Sequence, residues 1–151
     1  MTFDDDAFIE KQIKSITHLM KENKADELYD FFSTTVKSET PYLHQDITKL
    51  CEYYTGGDFI RWFSGGNNVG TRESYDHGKT IKTLTSRSKF KAESNNYFIQ
   101  MSWVTNDSNN KDNIGINFLY ITDFADGEEP TTVFSRNNNE TIIINEQNGK
   151  E

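Results

Sequence analysis

The chain has 151 residues, with 16 Lys and Arg against 24 Asp and Glu, and a formal net charge of -8. That length suits one domain spanning 1–151, and such a chain buries roughly 68–70% of its unfolded-state surface without help from a disulfide or metal. One cysteine, Cys51, excludes an internal disulfide. No run of Lys and Arg supplies the basic face that nucleic acid binding needs, and no stretch approaches the roughly 18 apolar residues of a membrane span.

The first third reads as helix. Asp4, Asp5 and Asp6 precede an apolar stripe at Ile9, Ile13, Ile16 and Met20, spaced to share one helix face. The acids suit the positive end of the helix dipole, and Lys21 and Lys24 suit the other end. Asn23 and Asp26 form a weak capping box ahead of a second helix with Leu28, Phe31, Phe32 and Val36 inward. Ser38 and Pro41 open a third helix that buries Leu43, Ile47, Leu50 and either Cys51 or Tyr54. Gly56 and Gly57 end it. Cys51, in an apolar helical stretch beside Glu52 and Tyr53, is expected as a core residue and not a reactive thiol.

From Phe59 the period changes to that of strands, and an α+β domain follows: helices first, then an antiparallel sheet of four to six strands that they cover on one face. Residues 59–63 form a short strand, 64–68 a flexible loop rich in Gly and Asn, and 71–75 an edge strand. Asp76-His77-Gly78 makes a turn. Residues 79–91 read as a long strand with Ile81, Thr83 and Thr85 opposite Lys82, Leu84 and Ser86; weak alternation predicts a bulge. The strongest strands are 97–105 and 114–122. Tyr97, Ile99, Met101 and Trp103 share one face, and Ile114, Ile116, Phe118 and Tyr120 another fully apolar one. Those faces should pack under the helices, leaving mixed faces with Gln100, Ser102 and Asn117 to line an open concave surface. Short strands at 131–134 and 141–144 and a turn at 136–139 complete the reading, with a frayed end.

Chemistry-bearing residues are scattered. Asp107, Asn109 and Asp112, and again Asp123, Asp126 and Glu128, present hard oxygens but meet no calcium-loop template, and read as solvated loops. His18 and His44 lack a metal-ligand partner at helical spacing, so no metal or cofactor is expected. Asp76 and His77 are the candidate acid–base dyad, and adjacent residues in a turn often point apart. Among the aromatics at Tyr53, Tyr54, Phe59, Trp62 and Phe63, the alternation of Trp62 with Phe63 puts one of them on the face away from the helices. Trp62, Gln100, Ser102 and Asn117 are therefore the candidate ligand or partner surface.

The stretches Asp30-Phe31-Phe32-Ser33, Gln45-Asp46-Ile47 with Tyr53-Tyr54-Thr55-Gly56, Asp112-Asn113-Ile114-Gly115 and Leu119-Tyr120-Ile121 span roughly residues 6–124. In them the chain resembles a family of uncharacterised, lipoprotein-like proteins of Gram-positive bacteria with the nuclear-transport-factor-2-like (cystatin-like) fold. The resemblance implies helices wrapped against a strongly curved sheet that leaves a cone-shaped cavity. No complete catalytic set of that fold aligns on named residues here. A non-enzymatic binding module for a small molecule or a basic protein is the leading expectation, and a homodimer is allowed. An immunity protein that neutralises a basic toxin is the main alternative. A small enzyme with an acid–base residue in the cavity is the other. The acidic start lacks a signal peptide's basic and apolar regions; a cytoplasmic protein, or an exported one whose leader was removed, both fit.

Overall fold

The computed structural model describes residues 4–132 and 140–147. The helices are α1 (Asp5–Lys21), α2 (Ala25–Tyr29), α3 (Thr34–Glu39) and α4 (Leu43–Tyr53). The strands are β1 (Phe59–Asp76), β2 (Lys79–Ala92), β3 (Asn96–Asp107), β4 (Gly115–Phe124) and β5 (Ile142–Asn145). They form one sheet in the order β1-β2-β3-β4-β5, antiparallel except for the parallel β4–β5 pair. The class is α+β, and the change of period near Gly56 marks the boundary.

The helix stripe behaves as the spacing demands. Ile9, Ile13 and Ile16 are fully buried, and Asp4 caps α1 by accepting from the Ala7 amide at 3.1 Å. The helix between Asn23 and Thr40 is split in two. Asn23 takes a left-handed φ of 56°, and Lys24, with no side-chain cap, precedes α2, so the Asn23–Asp26 box does not form. Ser33 starts α3 by accepting from the Val36 amide. It thereby turns the chain so that Phe32 is buried and Phe31 only half-buried. The last helix starts at Leu43, later than Ser38 and Pro41 suggest; it buries Cys51, and Tyr54, just past its end, is buried as well. Burial pushes the Cys51 thiol pKa up, first by desolvation and then through Glu52, consistent with an inert core thiol.

β1 is a single 18-residue strand. The stretch 64–68 lies within it and is not a loop: residues 63–66 form a large bulge, and Asn67 and Asn68 already pair with β2. Trp62 pairs with Phe90 and Asn67 with Ser88, so β1 spends five residue steps where β2 spends two. Gly66 is needed there, because a Cβ would stand 2.5 Å from the Lys89 carbonyl oxygen. His77 and Gly78, both at positive φ, make the two-residue turn to β2.

β4 differs most from expectation. The register shifts between Ser102 and Trp103, so Trp103 faces Ile116 while Ser102 faces Phe118. The phase of β4 inverts across this bulge. Ile116, Leu119 and Ile121 join the helix-side core with Ile99, Met101 and Trp103. Phe118 and Tyr120 point to the other face, where they cluster with Phe98 and Phe124. Ile114, expected inside, is 39% exposed just before the strand. Gly115, at φ 128°, is pressed against the backbone of residues 31–33; a Cβ would lie 2.7 Å from the Ser33 nitrogen. There a parallel bridge joins Phe32 to Ile116. Residues 131 and 132 form no strand, and the rest of the expected 131–134 strand and the 136–139 turn lie outside the described residues.

Candidate functional site

The four residues expected on one surface are not brought together. Trp62 is on the helix face, half-buried on the main core and set edge-on to Phe59 with ring centroids 4.7 Å apart. Its indole Nε1 donates to Glu10 Oε1 at 2.7 Å, tying β1 to α1. That bond, then the Lys14 contact, lowers the Glu10 pKa. Gln100 and Ser102 are on the opposite face, paired with Tyr120 and Phe118, so the expected open concave surface is a half-buried patch beside aromatics. Asn117 is turned toward α3: its Oδ1 accepts from Ser33 Oγ at 3.0 Å and its Nδ2 donates to the Gly115 carbonyl at 3.2 Å. It serves the β4 bulge.

His77 is exposed at the tip of the β1–β2 hairpin; the side chain of Asp76 lies outside the described residues. His18 and His44 make surface contacts with Asp58 at 3.2 Å and Asp26 at 2.5 Å. Asp107 is a buried loop organiser. It accepts from the amides of Asn109 and Asn110 and from Asn113 Nδ2, and the Asn113 bond leads in lowering its pKa. Among the described residues no group of three or more His, Cys, Asp or Glu is placed to hold a metal, and no helix is long and apolar enough to cross a membrane.

A different site emerges where α4 ends over the sheet. An open groove of about 600 Å³ is lined by Lys49, Glu52, Tyr53 and Thr55 from the α4 end, Asn95 and Tyr97 from the start of β3, Asp123 from β4, and Ile144 and Glu146 from β5 and beyond. Tyr53 and Thr55 line it directly, and their neighbours Tyr54 and Gly56 pack against Tyr97. Gly56 lets the chain pass Tyr97, because a Cβ would come within 2.4 Å of that ring. The Tyr97 hydroxyl accepts from the Thr55 amide at 3.2 Å, and Tyr54 donates to the Gly57 carbonyl at 2.5 Å.

Asp123 is 2% exposed. One of its oxygens accepts from the Tyr53 hydroxyl at 2.7 Å and from the Gln147 amide at 3.0 Å. Burial, then the bond to Asp123, raises the Tyr53 pKa far above the usual phenol value, so Tyr53 stays a neutral donor. The groove thus offers a buried carboxylate held in place, two aromatic walls, two further carboxylates at Glu52 and Glu146, and one cation at Lys49. Sequence reasoning missed it because its lining is gathered from distant segments, from Lys49 to Glu146. The clustering of Tyr53 and Tyr54 before Gly56 was its only sequence signal.

Fold and site together define a small α+β domain with helices on one face of an open sheet and an acidic, tyrosine-walled groove at one end. Residues 14–129 match the model of a family described as a domain of unknown function, DUF5104, and the chain belongs to that family. No curated protein matches the chain.

Proposed function

We propose that the protein is a binding module, not an enzyme, and that it receives its ligand in the groove between the α4 end and the ends of β3, β4 and β5. The observation that carries this reading is the groove of about 600 Å³ over Asp123, which is fixed by Tyr53 and Gln147. Pockets of this size, with aromatic walls and a few positioned polar groups, suit a ligand or the anchor residue of a partner. The nuclear-transport-factor-2-like assignment is supported by the N-terminal helices on one sheet face and by β-bulges that bend such sheets. The exposed position of His77 weighs against the acid–base alternative. The immunity-protein reading gains from the net charge of -8 and the acidic groove, both of which suit a basic partner.

Amide-resolved NMR with a fragment panel tests the location. Saturable shifts at Thr55, Asn95, Tyr97 and Glu146 are expected. Shifts centred on Gln100 and Ser102 would return the site to the sheet face, and a panel without hits in the groove would overturn the proposal.

A further inference from the structure

The outer face of the sheet carries a charge pattern that the net charge of -8 hides. Arg87, Lys89 and Lys91 alternate along β2 with Ser86, Ser88 and Phe90, which are fully buried toward the helices. The three cations therefore share the outer face, with side chains repeating at roughly 6.5–7 Å. Arg61 of β1 pairs directly with Lys91 and widens the row. The other cross-strand neighbours of the row are Asn68, Asn96, Phe98 and Gln100, so no Asp or Glu is paired beside it. Like charges set opposite each other on a sheet repel and are destabilising. Among the described residues neither Arg61 nor Lys91 makes an ion pair; Arg61 rests over the Phe63 ring, 5.5 Å from its centre. Carboxylates come to the row from the segment after β4. Glu129, with its side chain 87% exposed, reaches Lys89 at 3.5 Å. Asp126 stands in a shallow groove with Lys91 and accepts from Asn96 Nδ2 at 2.7 Å. The chain itself thus shows what the row takes, a carboxylate carried on a surface segment.

We propose that this row is a docking surface for an acidic, extended segment of a protein partner, with the chain's own Glu129 competing for Lys89. An extended segment with a carboxylate at every second residue repeats at the same roughly 6.5–7 Å as the row. Its carboxylates would relieve the repulsion between Arg61 and Lys91. A nucleic acid fits less well. Phe98 and Tyr120, the aromatics nearest the row, are buried and offer no stacking platform, and the net charge repels a long polyanion. The row faces away from α4 and the Asp123 groove, so neither site depends on the other.

The test titrates the full chain at low ionic strength with the peptide Ac-Glu-Ser-Glu-Ser-Glu-Ser-Glu-NH2 and with its neutral analogue, in which Gln replaces every Glu. Amide-resolved NMR is the readout. Saturable shifts at the Arg87, Lys89 and Lys91 amides and at Arg61 Nε are expected for the acidic peptide, fading as salt is added. The neutral analogue should produce none. The double variant Arg61→Gln/Lys91→Gln should weaken the acidic peptide about fivefold, and Glu129→Gln should strengthen it about twofold. Equal shifts with both peptides, shifts centred on the Asp123 groove, or unchanged affinity of the folded double variant overturns the proposal. Tighter binding of an oligothymidylate with the same number of charges would overturn the choice of partner.

Discussion

Both faces of the sheet carry an apolar cluster, but the two are built differently. The helix-side face is a deep core in which four helices close over β2, β3 and β4, and Ile13, Leu50, Phe90 and Ile99 are wholly buried. The outer face carries one thin layer, Phe98, Phe118, Tyr120 and Phe124, with Phe63 and Ile143 against it. The segment after β4 crosses this layer: Tyr120 donates to the Thr131 carbonyl at 2.8 Å, and Glu129 reaches Lys89 at 3.5 Å. An apolar strand face therefore does not identify the helix-covered side in this protein.

Neighbouring phenylalanines can break or sharpen that contrast. Phe90→Ala, in the deep core, should cost roughly 3–5 kcal/mol. Phe98→Ala, in the thin layer, should cost about 2–3 kcal/mol, because chain beside a single layer collapses more readily into the space left. Denaturant melts of the two variants measure this, and equal losses would make the outer cluster a second core. Tyr53→Phe should cost about 1.5–3 kcal/mol by removing a donor from the buried Asp123 carboxylate. Trp62→Phe should cost about 1 kcal/mol, since Glu10 is partly solvated. A folded Trp62→Phe variant of unchanged stability would remove its role as a tie between α1 and β1.

Titration separates the interior of the helix side from its rim. Tyr53 and Tyr54, on the helix side, have folded pKa values raised first by burial. Their contribution is complete below the unfolded phenol value of about 10 and is lost as pH rises beyond it. Stability measured from pH 8 upward should fall above about pH 10, and less steeply in Tyr54→Phe. Asp58, lowered by Lys21 and then His18, and Glu10, lowered by Trp62, act with the opposite sign. Their contribution is present above the unfolded carboxylate values of about 4 and is lost as pH falls through the lower folded values. The smallest effect is local: Asp107→Ala should speed hydrogen exchange at the Asn109 and Asn110 amides and leave the β4–β5 pair unchanged.

Whereas the Ser33 cap split the expected second helix into α2 and α3, the first helix was legible from spacing alone, because Ile9, Ile13 and Ile16 fall where a 3.6-residue period puts them. The β3 alternation held for the same reason. What failed was phase. A period-2 pattern says which residues share a face only while no residue is inserted, and the bulge opposite Ser102 and Trp103 moved Phe118 and Tyr120 to the far side. The Gly-Gly-Asn-Asn composition of 65–68 looked like a loop because a bulge this large uses the same backbone freedom. The parallel pairing of β5 and the groove depend on contacts between distant segments, about which local periodicity is silent.

The interruption in β1 bears on how the protein behaves at high concentration. β1 is the longer of the two edge strands, and it presents an edge to other molecules along 18 residues. A flat ribbon of that length would be a template for strands of neighbouring chains. The extra residues ahead of Asn67 kink the edge, and Arg72 and Glu73 place charges on its distal half. Removing Ser64, Gly65 and Gly66 together would restore continuous pairing with β2, and with it a smooth edge on which fibrous aggregates could grow.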